Sequence, residues 1–166
     1  MIAEFRQICE ELSQLISQWE KKLVILPERT ITERKNIQNR SIRQIVGHMV
    51  DSASNNTHRI IHMHYRESPV DYPDYANLGN NDRWISIQNY QEEDWNELVA
   101  LWAAVNRHVV HLIAQIDESK LEQIWISALK DKITLRDMVM DYPRHFKLHL
   151  NEISELINQL TLEHDQ

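Results

Sequence analysis

The sequence predicts an all-α fold: a four-helix bundle with a long crossover between its second and third helices. Three observations predict it. Apolar residues recur at three- and four-residue steps over four long stretches, the period of a helix that buries one face. The 166-residue chain has only two glycines, Gly47 and Gly79, and four prolines, so little interrupts those stretches. Residues 67–93 form a connection long enough to cross from one end of a bundle to the other, which lets the next helix run parallel to the last. With 42% hydrophobic residues the chain suffices for one domain, 1–166, with a sizeable core. No repeat, low-complexity tract or linker divides it.

The first helix is expected over residues 2–24, with Ile2, Phe5, Cys9, Leu12, Ile16, Trp19 and Leu23 on one stripe and Pro27 ending it. Residues 27–40 read as polar connection. Ser41 and Gln44 have the spacing of a capping box, opening a second helix to about residue 65 that buries Ile42, Val46, Met49, Ala53, Ile60 and Ile61. Gly47 inside it costs about 1 kcal/mol against alanine, which either close approach of another helix or a ligand beside His48 compensates or tertiary packing simply tolerates. Within 67–93, residues 84–90 are expected to form a short helix. Asp94 begins the third long helix, which reaches residue 116 with Trp95, Leu98, Trp102, Val105, Val109, Leu112 and Ile116 inward and Asn106, His108 and His111 off the stripe or at its edge. Residues 117–133 connect, with Trp125 and Leu129 capping the core. Thr134 and Asp137 supply a start signal for the fourth helix, residues 134–160, whose stripe is Leu135, Met138, Tyr142, Phe146, Ile153, Leu156 and Leu160. Pro143 removes a backbone bond in its middle, so the helix either kinks there or begins a turn later. His164 falls in a frayed tail.

The formal charge of −7 argues against a nucleic-acid partner, and no stretch is apolar enough to span a membrane. The N-terminus has no apolar signal core, and the single cysteine, Cys9, forms no internal disulfide, so a reducing cytoplasm is expected. Cys9 lies on an apolar stripe and reads as a small core residue, not a reactive thiol.

The chemistry concentrates in histidines. His145 and His149, four apart on one helix, stack one above the other on a stripe that faces inward. His48, flanked in phase by Ile45 and Met49, belongs at the edge of the core on the second helix. Three inward imidazoles leave open coordination positions, the pattern of a catalytic metal site. Their neutral nitrogens suit zinc first, then nickel or iron, over magnesium or calcium. A polar stripe of His48, Ser52, Asn55, Arg59 and His62 runs beside the apolar one; it is either a solvated face or a pocket lining.

The segments IRQIVGHMVDS, NDRWISIQNY and TLRDMVMDYPRHFKLHLNEI resemble the DinB/YfiT-like family of metal-dependent enzymes. Its marks are a histidine followed by an aspartate and a serine on helix two, here His48, Asp51 and Ser52, and an H-x-x-x-H pair on helix four, here His145 and His149. The resemblance spans most of 41–160 and implies a bundle of unusual connectivity, a divalent metal at the three histidines and a homodimer. It implies an enzyme in which the metal activates water or a low-molecular-weight thiol, as a hydrolase or a thiol S-transferase acting on a small molecule. In that picture Asp141 is a candidate acceptor for an imidazole N–H, and Asp51 either does the same for His48 or acts as a base. A solvent-facing acid is the competing reading of Asp51. Ser52, Asn55, Arg59, His62 and Tyr142 are candidate pocket residues, Arg59 to hold an anionic group or else to form an exposed salt bridge. A non-catalytic bundle binding metal or a small ligand, and a plain interaction scaffold, are the alternatives.

Overall fold

A computed structural model describes residues 1–159 of the chain. Leu160 and His164, assigned above to the end of the last helix and to a tail, lie outside the described residues. Six helices and a small hairpin follow in order: α1 (Ala3–Val24), α2 (Glu28–Glu33), α3 (Ile42–Tyr65), α4 (Asn80–Gln88), α5 (Trp95–Ala114), β1 (Ile124–Ile126), β2 (Lys132–Thr134) and α6 (Leu135–Asn158). The four long helices make the expected all-α bundle. Their starts are built by side chains that take up orphan backbone N–H groups. Ser41 and Gln44 form a reciprocal capping box at α3, Asp94 accepts from the Glu97 N–H at α5, and Thr134 accepts from the Asp137 N–H at α6.

Contacts between named residues fix the directions. Trp95 Nε1 donates to the Leu23 carbonyl at 2.9 Å while the Cys9 thiol meets the Val110 carbonyl, so α1 and α5 are antiparallel. Arg43 reaches the Glu93 carbonyl near one end, and His64 Nε2 accepts from the Asp117 N–H at the other, so α3 and α5 run parallel. His48 faces His149 and Arg59 faces Met138, making α3 and α6 antiparallel. The parallel pair is what the long crossover makes possible. Trp102, Phe5, Leu12, Ile16, Leu98 and Ile113 are fully buried members of one apolar cluster. Cys9 is buried in it, and burial, reinforced by Glu10, pushes its thiol up, consistent with an unreactive core residue.

Several local expectations need correction. Residues 27–40 hold the short α2, whose Ile31 is fully buried. Ile61 is exposed, because a helix turns about 100° per residue and Ile60 already occupies the inward position. The helix expected at 84–90 begins earlier, at Asn80, and ends at Asn89 in the left-handed region, leaving Tyr90 in a single 3-10 turn, Tyr90–Glu92. Asn106 is buried. The connector at 117–133 contains the β1–β2 hairpin; Trp125 points inward as expected, whereas Leu129 is exposed, since it sits in the turn between the strands. α6 runs unbroken through Pro143.

The crossover is fastened to the hairpin. Val70 N–H donates to the Ile124 carbonyl (2.7 Å), Trp125 Nε1 to the Tyr72 carbonyl (2.9 Å), and Ala128 N–H to Asp74 Oδ2 (2.9 Å). Asp74 also accepts from the Ala76 and Asn77 backbone and the Asn77 side chain. Burial raises this carboxyl, but those hydrogen bonds outweigh burial and hold it below the usual carboxylate range.

Candidate metal centre

Three imidazoles converge between α3 and α6. His149 Nε2 lies 3.1 Å from His48 Nε2 and 3.1 Å from His145 Nε2, and one donor nitrogen from each ring lies within 4.8 Å of the others. The four-residue step on α6 stacks His145 and His149, and the antiparallel packing of α3 brings His48 onto the same point. Two nitrogens bound to one ion at about 2.05 Å stand about 2.9 Å apart at a right angle and about 3.3 Å apart at the tetrahedral angle. The two separations from His149 fall between.

The partners of the outer nitrogens say which way the lone pairs point. His149 Nδ1 lies 2.8 Å from Glu152 Oε2. A carboxylate only accepts, so Nδ1 carries the hydrogen and the neutral ring presents a bare Nε2 to its two neighbours. His48 Nδ1 lies 2.6 Å from the Tyr75 hydroxyl, which in turn lies 3.5 Å from Asp51 Oδ2. A proton on His48 Nδ1 donates to Tyr75, whose own hydrogen then passes to Asp51, and this leaves His48 Nε2 bare as well. Burial, then the neighbouring His149 and His145, lower His48 to about 2; burial and His149 lower His145 to about 4. Both rings are therefore neutral near pH 7. Bare lone pairs this close repel one another unless a hydrogen or a cation sits between them, and the donor set fits a divalent ion.

The remaining candidates divide. Asp51 is 2% exposed, not a solvent-facing acid. It accepts from Tyr90 and Gln88 at 2.6 Å each and touches His48 only through Tyr75. Burial raises its carboxyl against the pull of those three hydrogen bonds. Asp141 has no imidazole partner: both its oxygens are taken by Arg144, at 2.5 and 2.9 Å, on the exposed face of α6. The acceptor it was expected to be is Glu152, one turn on the other side of the pair. Ser52, Asn55, Arg59 and Tyr142 do line a cavity of about 330 Å³ beside His48 and His145. Tyr142 crosses to α5 and donates to Asn106 Oδ1 at 2.9 Å, which explains why Asn106 is buried. His62 is not in the cavity; its Nδ1 lies 2.6 Å from the exposed Tyr65 hydroxyl, and Tyr72 lies against its ring.

Tyr75, Tyr90 and Glu152 were missed from sequence. Glu152 had a legible signal, a carboxylate three residues after His149 on the same helix face. Tyr75 had none, because an irregular segment has no period. Tyr90 was announced indirectly by Gly47: a Cβ there would lie 2.2 Å from the Tyr90 ring.

The model of the DinB superfamily matches residues 3–153. YfiT from Bacillus subtilis, described as a probable metal-dependent hydrolase with an unusual four-helix bundle topology, superposes with a TM-score of 0.77 at 18% identity, covering 97% of this chain and 91% of that one. At that identity the likeness speaks for the fold alone. No curated protein matches the chain. The family match takes in α1 through the site-bearing turns of α6, and with it the resemblance read from the histidine motifs is established: the chain belongs to the DinB superfamily.

Proposed function

We propose that the protein is a metal-dependent enzyme in which His48, His145 and His149 hold one divalent ion, zinc in the first instance, beside the cavity between α3 and α6. The observation that carries this is the convergence of the ring nitrogens at 3.1 Å, with Glu152 against the outer nitrogen of His149 and the Tyr75 hydroxyl against that of His48. When bound, such an ion acidifies a water or a thiol and polarises an acceptor oxygen. Everything else falls to the chain's own groups. Glu152 orients His149, and Asp51, working through Tyr75, orients His48. Tyr75 also lines the cavity, where its hydroxyl can accept or return a proton at the His48 edge. Trp125, Ile133 and Met138 give the cavity an apolar lining.

Hydrolysis is the preferred reaction, supported by what YfiT is described to be; a thiol S-transferase uses the same parts with a low-molecular-weight thiol in place of water. Ester or amide cleavage without added thiol separates the two. A cytoplasmic setting, resting on the lone buried Cys9, and a homodimer, resting on the resemblance, go with the reading. The direct test is metal content. His48→Ala, purified without a histidine tag, should lose stoichiometric metal by elemental analysis while keeping its helical signal. Full occupancy in that variant would remove the assignment.

A further inference from the structure

Arg59 is 8% exposed, yet among the described residues no ion pair holds it. Its Nε has no hydrogen-bond partner, and Nη1 meets only the Met138 sulfur, at 3.6 Å. Its guanidinium carbon stands 3.8 Å from the Trp125 ring centroid, so the cation sits over an aromatic face of the hairpin. Burial lowers it to about 10, partly countered by Asp74 and Tyr72, so it is cationic at neutral pH. A buried cation without a hydrogen-bonded counter-charge is costly, and stacking replaces little of the lost hydration.

The acids around the same cavity are already engaged. Asp74 is filled by the N–H groups of Ala76, Asn77 and Ala128 and the Asn77 amide. Asp137 accepts from the Thr134 hydroxyl at 2.7 Å, and Asp141 from Arg144. The donors of Arg59 are therefore the unspent ones, and a planar fork matches a carboxylate in two-point contact.

We propose that this cavity takes an elongated small-molecule substrate bearing a carboxylate, which binds Arg59 at the end away from the histidines. The inference rests on the metal-site reading for where the reacting group lies. Arg59 stands about three helical turns, ~16 Å of rise, from His48 along α3. The guest therefore spans an apolar middle, between Trp125 and Ile133 on one side and Met138 and Tyr142 on the other, with Ser52 and Asn55 offering polar contacts along α3. A phosphate dianion is disfavoured by Asp74, Asp137 and Asp141 around the cavity.

The test uses probes, since no substrate is named. Binding of 4-phenylbutanoate, 4-phenylbutanamide and 4-phenylbutyl phosphate to the full chain is titrated by ligand-observed NMR. The carboxylate should bind at least about tenfold tighter than the amide, the preference expected of a charge-assisted pair. Arg59→Met should erase that preference, and Arg59→Lys should keep part of it, because the charge remains and the fork does not. Should Arg59→Met fail to fold, loss of most of the preference in Arg59→Lys carries the test. Equal binding of acid and amide, a preference that survives Arg59→Met, or tighter binding of the phosphate overturns the proposal. The same titration on His48→Ala separates it from the metal reading. A preference retained there supports Arg59 whatever the fate of the metal; one that vanishes assigns the carboxylate to the metal and overturns the inference.

Discussion

Glu152 makes one contact with the site, its Oε2 against His149 Nδ1 at 2.8 Å, and that contact sets which nitrogen of the ring is free. Removing it should let the imidazole tumble between tautomers and weaken its basicity. Glu152→Ala is therefore expected to lower metal affinity roughly 10- to 100-fold, read by competition with a chromogenic chelator. Alanine is a good helix former, so the melting point of the metal-free protein should hardly move. Unchanged affinity would mean that His149 is oriented by packing alone. At this scale the three histidines were legible because their positions follow from helical period alone. The groups that orient them were legible only where they shared that helix, as Glu152 does. Tyr75 and Trp125 arrive from the crossover and the hairpin, and no spacing in α3 or α6 announces either; the burial of Arg59 went unread for the same reason.

At the scale of elements, the crossover is held to α3 by a close approach. Gly47 leaves room for the Tyr90 ring, and Tyr90 then donates to Asp51 at 2.6 Å. Gly47→Ala sets two effects against each other. Alanine gains about 1 kcal/mol of helix propensity. Its Cβ would lie 2.2 and 2.3 Å from the ring's Cδ2 and Cγ, near the root of a buried side chain that has nowhere to swing. Overpacking costs typically about 1–3 kcal/mol, and displacing Tyr90 also strips Asp51 of a hydrogen bond. The steric term wins, and chemical denaturation should show a net loss of about 1–2 kcal/mol. A more stable Gly47→Ala would show that the ring moves freely. From sequence the glycine left open the approach of a helix or a ligand or mere tolerance by packing; the ring that comes is neither helix nor ligand, since Tyr90 lies in a 3-10 turn beyond a helix whose expected start was four residues late. The starts of three long helices were legible because Ser41, Asp94 and Thr134 are caps; α4 follows Gly79, in the left-handed region, without a side-chain cap to mark it.

For the whole molecule, the site lies across a joint that the bundle supports only lightly. α3 packs along α5 far more extensively than along α6, and the cavity opens between α3 and α6. An ion bound by His48 from one helix and by His145 and His149 from the other ties these two together, and it binds only when both are in place. Its contribution to stability follows from mass action: free metal at a hundredfold its dissociation constant adds about 2.7 kcal/mol. For a domain of this size each kcal/mol moves the melting point by about 2–4 °C. Zinc added to chelator-treated protein should therefore raise the melting temperature by about 5–10 °C, reversibly with chelator, and His48→Ala should show no such response. The parallel α3–α5 pair needs no ion, so the metal-free protein should remain helical and fold cooperatively at the lower temperature. A melting point indifferent to both zinc and chelator would leave the bundle intact as a fold and take away the joint that the three histidines are argued to close.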